Sequence, residues 1–354
     1  MTDENAHVTQ AQVAAAAGVA RATVSYALRD NPKIPPATVA HVRAVAERLG
    51  YRPNPRVAAL MAHIRQAHPV GRGERIAFVW VHTTRVEARQ NPFLRNVFAG
   101  ARLRATQMGF TLEEFWTNDA DMTDLRLEQI IRARGIVGVV LSPVTNAEAA
   151  VTLGWDWRHF APAVIGNVTW TPELHHAGHH HYLGMRMALM ELAKLGCTRP
   201  AALIEPKSNE RAKRAWEAAF LTQHPQPGAA RSLVRIDSVK LRVSVGDWLR
   251  AARADALIVS ETALLENPEI QKVRRQLRLP AITLYWSSST PRDVGGIDQC
   301  YDRVSAHAVD LVAAQLNANE TGVPDLPRIM LFPGRWVAPR MGATKDSSAP
   351  SCHG

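Results

Sequence analysis

Residues 8–55 read VTQAQVAAAAGVARATVSYALRDNPKIPPATVAHVRAVAERLGYRPNP and contain three short helical patterns in succession. Thr9 and Gln12 have the spacing of a capping box, in which a threonine side chain caps the helix that follows it. The first helix is therefore expected over Gln10–Ala17. Gly18 then allows the tight turn that must follow, because glycine adopts positive φ without steric cost.

The second and third patterns complete a small unit of three helices. Arg21–Leu28 places Val24 and Leu28 on one face at i, i+4 spacing and leaves a polar outer face. Pro36–Leu49 carries an apolar seam at helical spacing: Val39, Val42, Val45, Ala46 and Leu49. A helix, a glycine turn and a second helix with a polar outer face predict a helix-turn-helix, whose second helix enters the major groove of DNA.

The charge distribution favours the same kind of partner. The 354-residue chain has a formal net charge of +10, with 42 Lys and Arg against 32 Asp and Glu. Residues 1–73 hold nine of those basic residues and four of the acidic ones, which gives +5 in about a fifth of the chain. A basic segment of this kind favours a polyanionic partner, with double-stranded DNA ahead of an anionic membrane surface.

A longer motif is more specific than the helical outline. It consists of the G-V-x-x-x-T-V-S run (Gly18, Val19, Thr23, Val24, Ser25), then LGYRPNP, then the short helical pattern RVAALMAHI. This motif resembles the lactose-repressor (LacI/GalR) family, and LGCTRPAALI at 195–204 is similar to a strand entry in the core of that family. The resemblance covers nearly all of the chain. It implies a transcription regulator, expected to be a repressor, that binds a palindromic operator as a homodimer.

The resemblance assigns DNA-contacting roles by position. Base readout is expected from Arg21, Ala22 and Tyr26, since arginine suits guanine and alanine can meet a thymine methyl. Backbone contacts are expected from Thr9, Thr23, Ser25, Arg29, Thr38, Tyr51 and Asn54. Leu60 matches the leucine that wedges into a minor-groove step, and the alternative is a core position between hinge and lobe.

Two positions depart from the family pattern. Ala20 stands where Ser or Thr usually caps the second helix and touches phosphate, and Pro35 replaces the common Ser cap of the third helix. Loss of such a cap costs about 0.5–2 kcal/mol when nothing compensates for it.

The rest of the chain alternates between two patterns. Apolar runs at 76–81, 135–141, 162–166, 200–204, 255–259 and 280–286 are typical of strands buried on both faces. Helical patterns lie between them: Phe93–Met108, Leu125–Arg134, Leu183–Leu195, Arg211–Gln223 and Arg303–Asn319. This alternation predicts α/β architecture with parallel sheets in two lobes, and the resemblance makes that core similar to periplasmic binding proteins.

These patterns divide the chain into four parts. Residues 1–55 are the expected helix-turn-helix domain and 56–73 the hinge helix and linker, which ends in a Pro/Gly cluster. Residues 74–340 form the expected two-lobed core, which binds the effector and dimerises. Residues 341–354 form a polar tail that we expect to be disordered.

The cleft between the lobes is the expected effector site, because ligands of such folds bind at the carboxyl ends of the strands. A sugar-like small molecule would meet Asn167, Arg211, Tyr285, Trp286, Gln299 and Tyr301. Tyr285 and Trp286 replace an aspartate that is frequent in the family, which points to an atypical ligand or to a closed cleft. Trp155 and Trp157 suit packing better than ligand stacking.

Five histidines lie close together at His175, His176, His179, His180 and His181. The i, i+4 pairs would suit zinc on a continuous helix. The flanking residues indicate a strand-to-helix junction instead, where the rings would diverge, so structural histidines are favoured and no metal or other cofactor is expected.

Several function classes do not fit. No apolar stretch reaches the length of a membrane span, and the first ten residues lack the layout of a signal peptide, so a cytoplasmic location is expected. No nucleophile elbow, phosphate-binding loop or carboxylate pair indicates an enzyme. The alternatives that stay open are a regulator of the same fold without an effector and, less well supported, a solute-binding protein.

Overall fold

The computed structural model describes residues 10–20, 23–24, 27–28, 34–49, 51, 74–145, 150–236 and 244–339. The helices within these ranges are α1 (Gln10–Ala17), α2 (Pro36–Arg48), α3 (Arg85–Gln90), α4 (Pro92–Gln107), α5 (Asp124–Ala133), α6 (His181–Lys194), α7 (Pro206–Arg211), α8 (Ala215–Gln223), α9 (Val245–Ala251), α10 (Pro268–Leu277) and α11 (Tyr301–Ala318). None of the helices described there is long and apolar enough to cross a lipid bilayer.

The strands, in chain order, are β1 (Arg75–Trp80), β2 (Thr111–Trp116), β3 (Gly138–Leu141), β4 (Ala161–Ile165), β5 (His175–His179), β6 (Pro200–Ile204), β7 (Leu233–Arg235), β8 (Ala256–Val259), β9 (Ala281–Thr283), β10 (Val294–Asp298), β11 (Ile329–Phe332) and β12 (Arg335–Val337). They form two six-stranded sheets, ordered β11-β5-β4-β3-β1-β2 in lobe one and β12-β10-β9-β8-β6-β7 in lobe two. Pairing is parallel throughout lobe one. In lobe two only β12 runs antiparallel, against β10.

The N-terminal helices pack around the seam that the sequence predicts. Val13, Val24 and Val42 are fully buried together, with Ala14, Ala17, Ala27, Val45 and Ala46 close around them. Pro35 is the N-cap residue of α2 and provides no side-chain cap, as the substitution at that position implies. Burial of valine and alanine therefore holds this unit together without help from a cap at α2.

Both sheets are covered on two faces, which explains their continuous apolar runs. In β1, Ala77 and Val79 face one core of lobe one, while Ile76, Phe78 and Trp80 face the other. A strand with solvent on one face would alternate polar and apolar residues instead.

One predicted helix is wrong at its beginning. The pattern Arg211–Gln223 is not one helix, because α7 ends at Arg211 and α8 starts at Ala215. Lys213 and Arg214, with φ of 51° and 56°, lie between them in the left-handed region. The structure also contains strands that the apolar runs do not mark, among them β5, whose sequence is HHAGH.

The chain passes between the lobes three times in the described part: from β5 to α6, from β10 to α11 and from β11 to β12. Helix α11 belongs to lobe one, where Val304, Ala308 and Val312 pack with β1 and α4. Helix α6 belongs to lobe two, where Met185 and Leu192 pack with α8.

Helices α4 and α11 approach most closely at Gly100. A Cβ built there would overlap the backbone carbonyl of Asp302 and lie 2.6 Å from Ser305 Oγ. We expect Gly100→Ala to lower the free energy of unfolding by about 1–3 kcal/mol, because the helices must move apart to admit the methyl group. Urea denaturation measures this change.

The matched control is Asn96→Ala, one turn earlier on the exposed side of α4. It should leave the free energy of unfolding nearly unchanged. Equal stability of Gly100→Ala and the parent protein would contradict the close approach of the two helices.

Candidate DNA-binding and ligand-binding sites

The N-terminal unit presents three of the predicted DNA-contacting residues within the described ranges. Thr23 and Thr38 are half-buried at the beginnings of the second and third helical segments. Tyr51 packs against the apolar core of the unit, and its backbone N–H donates to the Ala46 carbonyl at 2.9 Å. The other predicted contacts lie outside the described residues: Thr9, Arg21, Ala22, Ser25, Tyr26, Arg29, Asn54 and Leu60.

The cleft between the lobes is closed over by an aromatic cluster. The ring of Phe93, from α4, lies 4.8 Å from that of Tyr301 and 5.7 Å from that of Tyr285, both edge to face. Phe93 and Tyr301 belong to lobe one and Tyr285 follows β9 of lobe two, so the cluster joins the two lobes. Edge-to-face aromatic pairs stabilise such a contact beyond the area that they bury.

Burial also sets the protonation of the two phenols. It raises the pKa of Tyr301 to about 12, against a smaller lowering by the charge of Arg211. Burial likewise raises the pKa of Tyr285, and the nearby Tyr301 and Glu261 add to that effect. Both phenols are therefore neutral near pH 7 and act as hydrogen-bonding groups.

Arg211 enters the cleft beside a carboxylate that sequence reasoning missed. Its guanidinium lies 3.5 Å from a carboxylate oxygen of Glu261 and donates to Ser208 Oγ at 2.6 Å. The Ser208 hydroxyl in turn donates to Glu261. Glu261 follows β8 at its carboxyl end, and that position after a buried strand is the signal that could have identified it.

Two predicted effector residues are used by the framework. Asn167 Oδ1 accepts the backbone N–H of His179 at 3.1 Å, and Gln299 Nε2 donates to the Leu284 carbonyl at 2.8 Å. Both side chains are thus committed to positions where the chain changes lobes. The structure brings Arg211, Tyr285 and Tyr301 together in the cleft. The side-chain amides of Asn167 and Gln299 bind backbone groups instead.

The tryptophans divide between two environments. Trp155 and Trp157 are 6% and 5% exposed and stack at 5.4 Å inside the core of lobe one, so packing is their role. Trp286 is half-buried after β9, and its backbone N–H donates to the Ile297 carbonyl at 2.9 Å. It lies next to Tyr285 at the edge of the cleft.

The five histidines lie at a strand-to-helix junction: three are in β5, His180 is the N-cap of α6, and His181 is its first residue. His175 Nδ1 accepts the Arg328 N–H at 2.8 Å, and His180 caps α6 by accepting the Leu183 N–H. His179 is fully buried, and its ring lies 4.9 Å from that of His181, which packs on Trp216. Among the described residues, no three His, Cys, Asp or Glu side chains come together as metal ligands.

Comparison with known proteins identifies the N-terminal unit. A family model described as bacterial regulatory proteins, lacI family, matches residues 9–54, which include α1, Val24 and α2. The two-lobed core has the fold of the solved transcriptional regulator CelR–cellobiose complex, at 16% identity and TM-score 0.53, over 95% of this chain and 100% of that one. Residues 9–54 thus match the lacI family, and the two-lobed core shares the fold of this solved regulator.

Two further proteins are similar to this chain, one in sequence over part of its length and one in fold. The HTH-type transcriptional regulator PtxS of Pseudomonas plecoglossicida is 29% identical over 143 residues, which cover 40% of this chain and 38% of PtxS. The Lac repressor bound to ONPG in its repressed state is 16% identical, with TM-score 0.51 over 94% of this chain and 99% of that one.

The buried histidine pair predicts how stability depends on pH. Burial, with a smaller contribution from His180, lowers the pKa of His179 from 6.5 to about 3, and burial also lowers that of His181. Below the ordinary histidine pKa, these two rings bind a proton in the unfolded chain but stay neutral in the folded chain. Each such ring therefore removes about 1.4 kcal/mol of unfolding free energy per pH unit as the pH falls.

We expect His179→Leu to reduce the slope of unfolding free energy against pH by the equivalent of about one proton. Urea denaturation at pH 7 and pH 5 measures this slope. The control is His82→Asn, an exposed histidine in lobe one, which should keep the parent slope. An unchanged slope in His179→Leu would mean that His179 is protonated in the folded protein.

Proposed function

We propose that the protein is a sequence-specific DNA-binding transcription regulator, acting as a repressor on a palindromic operator. The match of residues 9–54 to the lacI family, on a unit whose buried seam is that of a helix-turn-helix, carries the proposal. PtxS, named an HTH-type transcriptional regulator, supports it. A palindrome presents two equivalent half-sites, so the regulator is a homodimer with twofold symmetry.

The proposed contacts with DNA are of two kinds, to base edges and to the sugar-phosphate backbone. Arg21, Ala22 and Tyr26 read base edges, and Thr9, Thr23, Ser25, Arg29, Thr38, Tyr51 and Asn54 hold the backbone. Leu60 wedges into the minor groove at the centre of the operator. Base contacts supply specificity, whereas backbone contacts supply affinity that depends on salt.

Arg21→Ala and Arg29→Ala separate the two kinds of contact. Arg21→Ala should cost about 1–3 kcal/mol per half-site on the operator and relax base preference there. Arg29→Ala should weaken binding to every duplex alike and reduce the slope of log K against log salt by about one unit. Salt-titrated binding to a selected palindrome and to a scrambled duplex measures both effects.

Arg186→Gln serves as the control, because Arg186 lies on the exposed face of α6 in lobe two. It should leave both isotherms unchanged. If Arg21→Ala weakened the palindrome and the scrambled duplex equally, the assignment of the recognition helix would be wrong.

We also propose that a small, sugar-like molecule in the inter-lobe cleft modulates DNA binding. Arg211, Glu261 and the phenols of Tyr285 and Tyr301 offer the charged and hydrogen-bonding groups, and Phe93 offers an apolar ring. The solved structures of similar fold include one named as a cellobiose complex and one bound to ONPG, which supports a ligand of this class. Such a molecule would have to part the aromatic cluster to enter.

A thermal-shift panel of sugars and nucleobases identifies the ligand, since binding to the folded state raises the melting temperature. Tyr301→Ala and Arg211→Gln should then abolish the shift and the response of DNA binding, while leaving affinity for the operator unchanged. Arg186→Gln should keep both. An intact response in Tyr301→Ala and Arg211→Gln would exclude the cleft as the effector site.

A regulator of the same fold without an effector is the second candidate. It is favoured by the aromatic cluster that joins the lobes and by the use of Asn167 and Gln299 in backbone contacts. The panel decides between the two, because this candidate predicts no shift that Tyr301→Ala removes. A solute-binding protein is disfavoured, since it has no use for residues 9–54.

A further inference from the structure

A second pocket lies away from the aromatic cluster, at the edge of lobe one where β4, β5 and β11 meet. Its cavity volume is about 40 Å³, and the open space around its mouth brings the total to about 360 Å³. Its lining is Val164, Val168, Thr169, Trp170, Glu173, Leu174, His176, Lys213, Pro327 and Ile329. It shares none of these residues with the cleft described above. All of them belong to lobe one except Lys213, which lies between α7 and α8 of lobe two.

Two opposite charges in this lining have no partner. Neither Glu173 nor Lys213 forms an ion pair or a side-chain hydrogen bond with any other residue that the structure describes. They lie on different lobes and face the same pocket. An unpaired cation and an unpaired anion at one pocket are the groups that bind a ligand carrying both charges.

A fixed backbone turn in lobe two positions Lys213. Lys213 and Arg214 are consecutive non-glycine residues with positive φ, and they interrupt the helical path between α7 and α8. The Lys213 N–H still donates to the Glu210 carbonyl at 2.8 Å and that of Arg214 to Asn209 at 2.7 Å, so the turn is fixed. Such conformations persist where the surrounding structure requires them and are common at binding sites.

An indole without a partner completes the polar lining. Trp170 is 5% exposed, and its Nε1–H has no hydrogen-bond partner in the described part. A buried indole N–H normally finds an acceptor. A backbone β-bridge to Val151 fixes the chain at Trp170, and Val164 and Ile329 supply apolar surface in the same pocket.

The protonation of His176, in lobe one, is affected by the charge of Lys213 from lobe two. Burial lowers the pKa of His176 and the charge of Lys213 lowers it further, while Glu173 opposes the shift. The imidazole is therefore neutral near pH 7 and can donate or accept a hydrogen bond. It adds no third charge to the pocket.

We propose that this pocket binds a small zwitterion of the α-amino-acid class and that the ligand links the two lobes. Its carboxylate contacts Lys213, its ammonium group contacts Glu173, and its side chain lies against Trp170 and the apolar residues. A ligand held from both sides favours one relative position of the lobes. Binding is independent of the proposed function, and only its effect on DNA affinity rests on that function.

The test uses the full-length protein and the twenty common L-amino acids as probes, first by thermal shift and then by calorimetry. The amino acid that binds is compared with two analogues, the amine that lacks its carboxylate and the acid that lacks its amino group. Each analogue should bind at least about tenfold more weakly, because it forfeits a charge-assisted hydrogen bond.

Lys213→Gln and Glu173→Gln should each weaken binding of the amino acid about tenfold or more. Glu173→Gln should also lose the preference for the amino acid over the deaminated acid, a result that mere damage to the fold does not produce. The matched controls are Lys272→Gln and Glu269→Gln, which carry the same changes on α10, outside the pocket. They should bind as the parent does.

Arg211→Gln, in the cleft, should leave amino-acid binding unchanged and so separates the two sites. The proposal is overturned if none of the twenty amino acids binds, if the analogues bind as well as the amino acid, or if the pocket variants bind as the parent does. Operator binding by the same variants shows separately whether the DNA-binding function stands.

Discussion

The buried ring of His179 is the contact around which the two lobes are joined. It lies where β5 leaves lobe one, and the segment between β11 and β12 passes beside it. A Cβ on Gly184, in α6, would lie 2.6 Å from its Nε2, and one on Gly334, before β12, would lie 2.9 Å from its Cε1. The Asn167 amide holds its backbone, and the neighbouring His180 N–H donates to Phe332 at 2.6 Å. A side chain at Gly184 or Gly334 would collide with this ring, so two of the segments that pass between the lobes pack closely at His179.

The two proposed ligand sites occupy different positions relative to that join. Phe93, Tyr285 and Tyr301 connect the lobes through aromatic contacts at the carboxyl ends of the strands. Lys213 and Glu173 come from different lobes and both line the pocket at the edge of the first sheet. The first contact is made by the protein itself, whereas the second needs a ligand to complete it. A regulator that senses small molecules through lobe orientation can use either position, because each joins elements of both lobes.

The N-terminal helical unit and the two-lobed core each have a hydrophobic core of their own. The helices at residues 10–49 bury their own seam of valine and alanine, and the core buries separate clusters on both faces of each sheet. Neither unit borrows core residues from the other in the described part. Signals between them are therefore expected to pass through the orientation of the lobes rather than through a shared core.

The sequence by itself determined the parts that depend on neighbours along the chain. Helical spacing marked the seam of Val24, Val42 and Val45, and continuous apolar runs marked β1, β4, β6 and β8. Tertiary structure alone decided what depends on distant partners. HHAGH is a strand because β4 and β11 pair with it on both sides. The Arg211–Gln223 pattern breaks at Lys213 and Arg214, which local helical periodicity does not reveal. Phe93, Tyr285 and Tyr301 meet only because three separate segments end at one cleft, and periodicity carries no information on contacts of that separation.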